Sequence, residues 1–120
     1  MRPRKRIMIC DDDRIMLNIL ESVIKNVDKN FLIYSFADPE NAIKIGNLVK
    51  FDYAFVDWVM PKYNGADVFK ALNKDCVKIL CTAKELNDDI RSEAVSAGAD
   101  GLFNKPVNMQ QIVKILADPF

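Results

Sequence analysis

Short apolar runs alternate with helical stripes along this chain. The runs fall at residues 7–10, 31–36, 53–56, 77–81 and 101–104, and their length suits strands that are buried on both faces of a parallel sheet. Between and after them, apolar residues recur every three or four positions, which predicts helices starting near residues 14, 39, 65, 87 and 109. Strict alternation of strand and helix predicts a doubly wound, five-stranded parallel α/β sheet with five helices, in one domain spanning residues 1–120.

The helical stripes and their end signals predict which side chains face the core. Asp13 and Asp38 are suited to cap the first two helices, and Gly98 is suited to end the fourth. Trp58 is expected to be a partly exposed loop aromatic. The predicted inward-facing residues are Met16, Leu20, Val23, Ile24, Val27, Ala42, Ile45, Val49, Val68, Phe69, Leu72, Ile90, Ala94, Val95, Met109, Ile112, Val113 and Leu116.

Composition excludes several classes of function. The 120 residues carry 17 basic and 17 acidic side chains, so nothing global favours nucleic acid or an anionic membrane as a partner. The chain has no histidine, which removes Ser-His-Asp triads, Cys-His dyads and histidine-bound metals. The three cysteines match no zinc spacing, and neither a signal peptide nor an apolar stretch of about 20 residues is visible. We therefore expect a cytoplasmic protein with buried, reduced thiols.

Polar residues follow directly after four of the predicted strands. Asp11 and Asp12 end the first strand, Asp57 the third, Thr82 the fourth and Lys105 the fifth. Because the carboxyl ends of parallel strands share one edge, these side chains are expected to converge there. Three close carboxylates repel unless a cation neutralises them, and oxygen ligands with room for water suit Mg²⁺. Such a site favours phosphoryl transfer, with Asp57 as nucleophile and Mg²⁺ and Lys105 as positive centres.

Each of these residues alone has a more ordinary interpretation. Three successive aspartates are more often a helix-capping turn than a metal site, Thr82 could merely cap a turn, and Lys105 could be a surface lysine. Their joint placement at strand ends favours the site.

The chain resembles a response-regulator receiver domain of two-component signalling over essentially its whole length. The motifs that carry the resemblance are Ile9-Cys10-Asp11-Asp12-Asp13, Val56-Asp57-Trp58-Val59-Met60-Pro61, Asn64-Gly65, Cys81-Thr82-Ala83 and Ala97-Gly98-Ala99-Asp100-Gly101-Leu102-Phe103-Asn104-Lys105-Pro106. The resemblance implies a flavodoxin-like fold with strand order 2-1-3-4-5. It also implies that Asp57 accepts a phosphoryl group from a phosphohistidine on a histidine kinase or histidine phosphotransfer protein.

The resemblance further implies a role for each site residue. Mg²⁺ would be bound by Asp12 directly, by Asp11 mainly through water, by Asp57 and by the backbone carbonyl of Val59. Thr82 and Lys105 would contact the phosphoryl oxygens, and the Lys105–Pro106 peptide would be cis. The domain would be a switch that catalyses its own phosphorylation and acts on an unknown downstream effector, without binding nucleic acid or membrane itself. It would be a monomer or a homodimer through its last two helices.

Two positions depart from the family pattern. The family often has an aromatic residue three positions before the lysine, where this chain has Leu102; its neighbour Phe103 should face the opposite side of the sheet. Val59 offers no side-chain hydrogen bond to orient a water molecule, which predicts slow self-dephosphorylation.

Two other functions are possible on such a sheet. A phosphatase or phosphotransferase with an aspartyl-phosphate intermediate would need a second aspartate two residues after Asp57, where Val59 stands. A flavodoxin-like cofactor binder would need a Ser/Thr/Gly-rich loop after the first strand, whereas the aspartates at 11–13 would repel a phosphate.

Overall fold

The computed structural model describes residues 4–105 and 107–117. Strands and helices alternate in the order β1 (Arg6–Cys10), α1 (Arg14–Val27), β2 (Leu32–Phe36), α2 (Pro39–Gly46), β3 (Tyr53–Val56), α3 (Gly65–Ala71), β4 (Val77–Thr82), α4 (Asp88–Ser96), β5 (Gly101–Asn104) and α5 (Met109–Ala117). The strands form one parallel sheet in the order β2-β1-β3-β4-β5, which confirms the predicted fold.

The sheet separates two apolar layers, because successive side chains of a strand point to opposite faces. On one face, Met8, Val56 and Leu80 pack with residues of α2, α3 and α4. On the other, Ile9 and Phe55 pack with residues of α1 and α5. Both faces of the central strands are therefore covered, which explains why β3 is buried at every position.

The predicted helix ends are confirmed. The Asp13 side chain accepts hydrogen bonds from the N–H groups of Ile15 and Met16, and Asp38 accepts one from Glu40. After α4 the chain turns at Gly98, whose φ of 106° is a conformation that favours glycine.

Some details of the core differ from the prediction. Val95 is 59% exposed, because Ile90 and Ala94, four residues apart, already define the inward stripe of the short helix α4. Val113 is exposed on α5, and Leu17 is buried on α1 although the predicted stripe left it out. Trp58 is buried, since its ring packs into the layer formed with α2, α3 and α4.

No helix in the described ranges is both long and apolar enough to cross a membrane.

Candidate functional site

The carboxyl edge of the sheet holds the candidate residues in fixed positions. Backbone hydrogen bonds continue past the ends of the strands, from Asp11 N to Phe36 O at 3.0 Å and from Asp57 N to Cys10 O at 2.9 Å. A third bond joins Lys105 N to Thr82 O at 2.7 Å. The sheet's own hydrogen-bond ladder therefore places these side chains next to one another.

Asp11, Asp12 and Asp57 form one acidic cluster. One carboxylate oxygen from each lies within 4.8 Å of the others. Asp11 and Asp57 are buried, while Asp12 is exposed. Both oxygens of Asp11 have partners, Oδ1 with the Asp13 N–H at 2.9 Å and Oδ2 with Lys105. Asp12 makes no side-chain hydrogen bond or ion pair with the described part of the chain, so it is the carboxylate most open to a ligand.

Lys105 is the cation inside this cluster. Its Nζ lies 2.6 Å from Asp11 Oδ2 and 3.6 Å from Asp57 Oδ2, and its side chain is largely buried. One ammonium thus faces the two buried carboxylates. Asp57 Oδ1 is also buried and makes no hydrogen bond within the described residues. A buried oxygen of this kind normally has a partner, so Asp57 has unused capacity for a ligand.

The charges of the cluster shift the pKa of Asp57 and of Lys105. Burial, followed by the negative charge of Asp11, raises the pKa of Asp57, although Lys105 and the Thr82 hydroxyl oppose this change. Burial alone would lower the pKa of Lys105, but its hydrogen bond to Asp11 and the charge of Asp57 outweigh it and raise the pKa. The lysine therefore stays protonated, while the ionised form of Asp57 is destabilised.

The loop between β3 and α3 folds tightly against Asp57. Gly65 N donates to Trp58 O at 3.2 Å, and a Cβ at Gly65 would lie only 2.8 Å from the backbone oxygen of Asp57. Val59 is 51% exposed, and its carbonyl accepts no hydrogen bond from the described residues. A glycine at 65 thus allows the close approach, and the Val59 carbonyl remains available to a ligand.

Thr82 lies between the acidic cluster and the loop that follows β4. Its side chain is fully buried, and its Oγ1 accepts a hydrogen bond from Lys84 N at 3.2 Å. The same hydroxyl helps to lower the pKa of Asp57, against the larger effect of burial.

The two apolar residues of β5 face opposite sides of the sheet. Leu102 packs in the layer with α3 and α4, and Phe103 packs in the layer with α1 and α5. The prediction that Phe103 faces the opposite side of the sheet from Leu102 is confirmed. The predicted cis peptide between Lys105 and Pro106 lies outside the described residues.

The cysteines do not contribute a reactive thiolate to this edge. Burial, reinforced by the charges of Asp11 and Asp57, raises the pKa of Cys10 to about 12. Burial also raises the pKa of Cys76 and Cys81 to about 12. These thiols remain protonated near neutral pH, as expected of small core residues.

Comparison with known proteins identifies the family. A family model described as the response regulator receiver domain matches residues 7–117. The chain belongs to the response regulator receiver domain family. A receiver domain protein from Methanospirillum hungatei has a structure with a TM-score of 0.85 at 23% identity, covering 95% of this chain and 91% of the other.

Other relatives are multi-domain or longer proteins. A cyclic di-GMP phosphodiesterase from Thermotoga maritima is 31% identical over 87% of this chain and 28% of its own length. The cell cycle response regulator CtrA of Brucella ovis is 25% identical over 90% of this chain and 47% of its own. The chain therefore spans less than half the length of these curated relatives.

One structural neighbour carries a modified aspartate. A response regulator protein from Burkholderia pseudomallei, with a phosphorylated aspartic acid, a calcium ion and citrate in its structure, has a TM-score of 0.80 at 21% identity. It covers 93% of this chain and 66% of that chain. At this identity the likeness concerns the fold.

The residues at the carboxyl edge fit a hard divalent cation. The donor set consists of oxygen atoms: the exposed Asp12 carboxylate, Asp57 Oδ1 and the Val59 carbonyl, the last two without a hydrogen-bond partner among residues 4–105 and 107–117. Oxygen ligands beside open solvent are what Mg²⁺ binds, because it keeps several of its waters.

One polar residue near this edge, Asn104, is not among the residues predicted from the sequence. The Asn104 amide donates to Lys84 O at 2.9 Å and lies 3.5 Å from Thr82 O. Its position directly before Lys105 in the sequence could have indicated a role at this edge. The spacing of residues could not show that its partner is the loop containing Lys84.

Proposed function

We propose that this domain takes a phosphoryl group from a phosphohistidine partner onto Asp57 and thereby switches a protein-interaction surface. The observation that carries the proposal is the cluster itself, in which Asp11, Asp12 and Asp57 lie within 4.8 Å and Lys105 faces two of them. Membership of the receiver family supports signalling as its setting.

In the proposed reaction, Asp57 is the nucleophile. A carboxylate oxygen of Asp57 bonds to the phosphorus of the phosphohistidine while the P–N bond breaks, and the electron pair of that bond leaves with the imidazole of the partner. The product is an aspartyl phosphate on this chain and a free histidine on the partner. The Asp57 carboxylate supports this role because one of its oxygens has no hydrogen-bond partner among the described residues, so the group keeps free capacity for a ligand.

Lys105 and Thr82 are proposed to hold the phosphoryl oxygens. The Lys105 ammonium lies 3.6 Å from Asp57 Oδ2, so it is already beside the place where negative charge would accumulate. The Thr82 hydroxyl can donate to a phosphoryl oxygen while its own oxygen continues to accept from Lys84 N.

Asp11, Asp12, Asp57 and the Val59 carbonyl are proposed to hold Mg²⁺. When bound, the ion would supply positive charge that neutralises both the carboxylates and the transferring phosphoryl group. Because the oxygens of Asp11 are engaged with Asp13 N and Lys105, the exposed Asp12 is the better candidate for a direct ligand.

Partners are proposed at the level of chemical class. The donor is a histidine kinase or a histidine phosphotransfer protein, and the receiver of the signal is a downstream effector whose nature this chain does not specify. Self-association through α4 and α5 remains a prediction.

The test of the proposed function is phosphoryl uptake from acetyl phosphate in the presence of Mg²⁺. Intact-mass measurement should show one added phosphoryl group, and peptide mapping should place it on Asp57. The Asp57→Asn variant should take up none, because an amide oxygen is a poor nucleophile. Asp89→Asn, which changes an exposed carboxylate on α4, should react like the wild type.

Two results would contradict the proposal. One is a wild type that stays unmodified with acetyl phosphate and also fails to bind beryllofluoride. The other is a phosphoryl group mapped to an aspartate other than Asp57.

The phosphorylated domain is expected to lose its phosphate slowly. Val59 is exposed beside Asp57 but has no polar side-chain atom that could orient an attacking water. Val59→Asn should shorten the lifetime of the phosphoaspartate severalfold, measured by the decay of intact mass after acetyl phosphate is removed. Val95→Asn, at an exposed position on α4, is the matched control. Decay of the wild type within seconds would show that this expectation is wrong.

A turnover phosphatase is the weaker alternative. Such an enzyme would need an acid or base two residues after the nucleophile, and the structure places the apolar side chain of Val59 there. The absence of turnover with a generic phosphomonoester would separate the two functions.

A further inference from the structure

The loop that follows β4, residues 83–87, is held to the rest of the sheet's edge by few polar contacts. Ala83, Lys84 and Glu85 are exposed, and only Leu86 is packed against the core. The loop lies between Thr82, which faces Asp57, and α4, which begins at Asp88. A residue that fixes this loop is therefore close both to the carboxyl edge and to the start of α4.

Both polar groups of the Lys84 backbone are bound by side chains. Its N–H donates to Thr82 Oγ1 at 3.2 Å, and its carbonyl accepts from Asn104 Nδ2 at 2.9 Å. The Asn104 amide also lies 3.5 Å from Thr82 O, and Lys105 N binds that same carbonyl at 2.7 Å. The Lys84 backbone is thus held between Thr82, the last residue of β4, and Asn104, the last residue of β5.

The other side chains on this part of β5 are apolar. Leu102 and Phe103 pack in opposite core layers and can form no hydrogen bond with Thr82 or with the loop. Asn104 is consequently the β5 side chain with a polar link to the loop after β4. Its register partner in the sheet is Thr82, so the two residues that bind Lys84 are also neighbours in the ladder.

We propose that Asn104 is a positioning residue that joins the loop 83–87 to the end of β5, so that the two respond together when Asp57 is modified. This inference rests on the proposed phosphorylation of Asp57. A phosphoryl group would extend beyond the carboxylate, and the Thr82 hydroxyl would have to reorient to meet it. Since Lys84 N is bound to that hydroxyl, Lys84 would shift with it, and Asn104 would transmit the shift to the strand that carries Lys105.

The test uses amide hydrogen exchange with and without beryllofluoride and Mg²⁺. In the free protein, Asn104→Leu removes the donor at similar volume and should speed exchange in the loop 83–87 about fivefold, the effect of losing roughly 1 kcal/mol. In the wild type, beryllofluoride should slow exchange both in this loop and at the end of β5. In Asn104→Leu the loop should still respond, but the response at the end of β5 should be reduced to the part that Lys105 contributes through its own contacts with Asp57 and Thr82.

Controls separate positioning from general stability. Asn41→Leu changes an exposed asparagine on α2 without a side-chain hydrogen bond in the described structure, and should leave both responses as in the wild type. Asn104→Gln keeps the amide and should restore part of the response of β5. Asn104→Ser, too short to reach Lys84 O, should behave like Asn104→Leu.

The outcomes distinguish this inference from the proposed function. If Asn104→Leu leaves free-state exchange of the loop unchanged, or keeps the full wild-type response of β5, Asn104 does not position the loop. If the wild type binds no beryllofluoride, the proposed function fails and the coupling role fails with it. The free-state comparison would then report only whether the clamp on Lys84 exists.

Discussion

Lys105→Met should lower the free energy of unfolding by about 2–3 kcal/mol when no divalent cation is present. The substitution removes the ammonium that lies 2.6 Å from Asp11 and 3.6 Å from Asp57, and leaves two buried carboxylates facing each other. Breaking a fully buried pair costs about 3–5 kcal/mol, and the partial exposure of Lys105 and the nearby solvent reduce that figure. In a domain of this size the melting temperature should fall by roughly 10 °C.

The measurement is urea or thermal unfolding at neutral pH in a chelating buffer. Lys44→Met, which removes an exposed lysine of α2 that has no ion pair among the described residues, should change stability little. Added Mg²⁺ should restore part of the loss in Lys105→Met, because a bound cation would replace the missing charge. A Lys105→Met protein that unfolds like the wild type in the chelator would show that the lysine does not neutralise the cluster.

Asp57→Asn should have the opposite effect and raise the free energy of unfolding by about 1–2 kcal/mol without cation. The amide removes a buried negative charge from beside Asp11, and it offers an N–H that can find an acceptor where Oδ1 now has no partner. The order of stability is therefore expected to be Asp57→Asn above wild type, and wild type above Lys105→Met.

The pH dependence of the free energy of unfolding gives a second measure of the effect of the Asp57 charge. Because burial raises the pKa of Asp57 in the folded protein, its stabilising protonated form is lost as pH rises through that pKa. The advantage of Asp57→Asn should thus be full above the raised pKa and disappear below the ordinary carboxyl pKa of about 4. Asp89→Asn should show no such trend. An advantage of Asp57→Asn that stays constant with pH would contradict this account.

Mg²⁺ should reduce the difference in the free energy of unfolding between the wild type and Asp57→Asn by stabilising the wild type. Binding to the folded wild type raises its stability by mass action, whereas the variant lacks one of the proposed ligands.

The double variant Lys105→Met/Asp57→Asn should be less destabilised than the sum of the single changes predicts, since both groups act on the same charges.

The alternation of apolar runs and stripes predicted a doubly wound parallel sheet, and the resemblance to the receiver family supplied its strand order. Each strand reads as a buried run because helices cover both faces of the sheet, and parallel strands then bring their carboxyl ends to one edge. That rule alone placed Asp11, Asp57, Thr82 and Lys105 together, and the structure confirms their proximity.

Local pattern gave the wrong environment for several residues, of which Trp58 and Val95 show the reason best. Trp58 follows Asp57 and lies three residues before Pro61, a pattern typical of an exposed loop, but the ring is buried against the core layer of α2, α3 and α4. Val95 fits a helical stripe, but α4 is short and its contact with the sheet is narrow. In both cases the burial of the side chain depends on how the loop or helix packs against the sheet, and the local sequence pattern does not specify that packing.

By itself, the sequence determined the alternation of strands and helices and which residues reach the carboxyl edge, since these follow from periodicity and from the geometry shared by all parallel sheets. The resemblance to the receiver family came instead from the motifs at the strand ends. Only the tertiary structure decided that Lys105 binds Asp11 more closely than Asp57, that Asp12 is the open carboxylate, and that Asn104 holds Lys84. These features are distances between segments far apart in the chain. They are set by how the loops pack on one another, and a difference of about 1 Å decides whether a hydrogen bond forms.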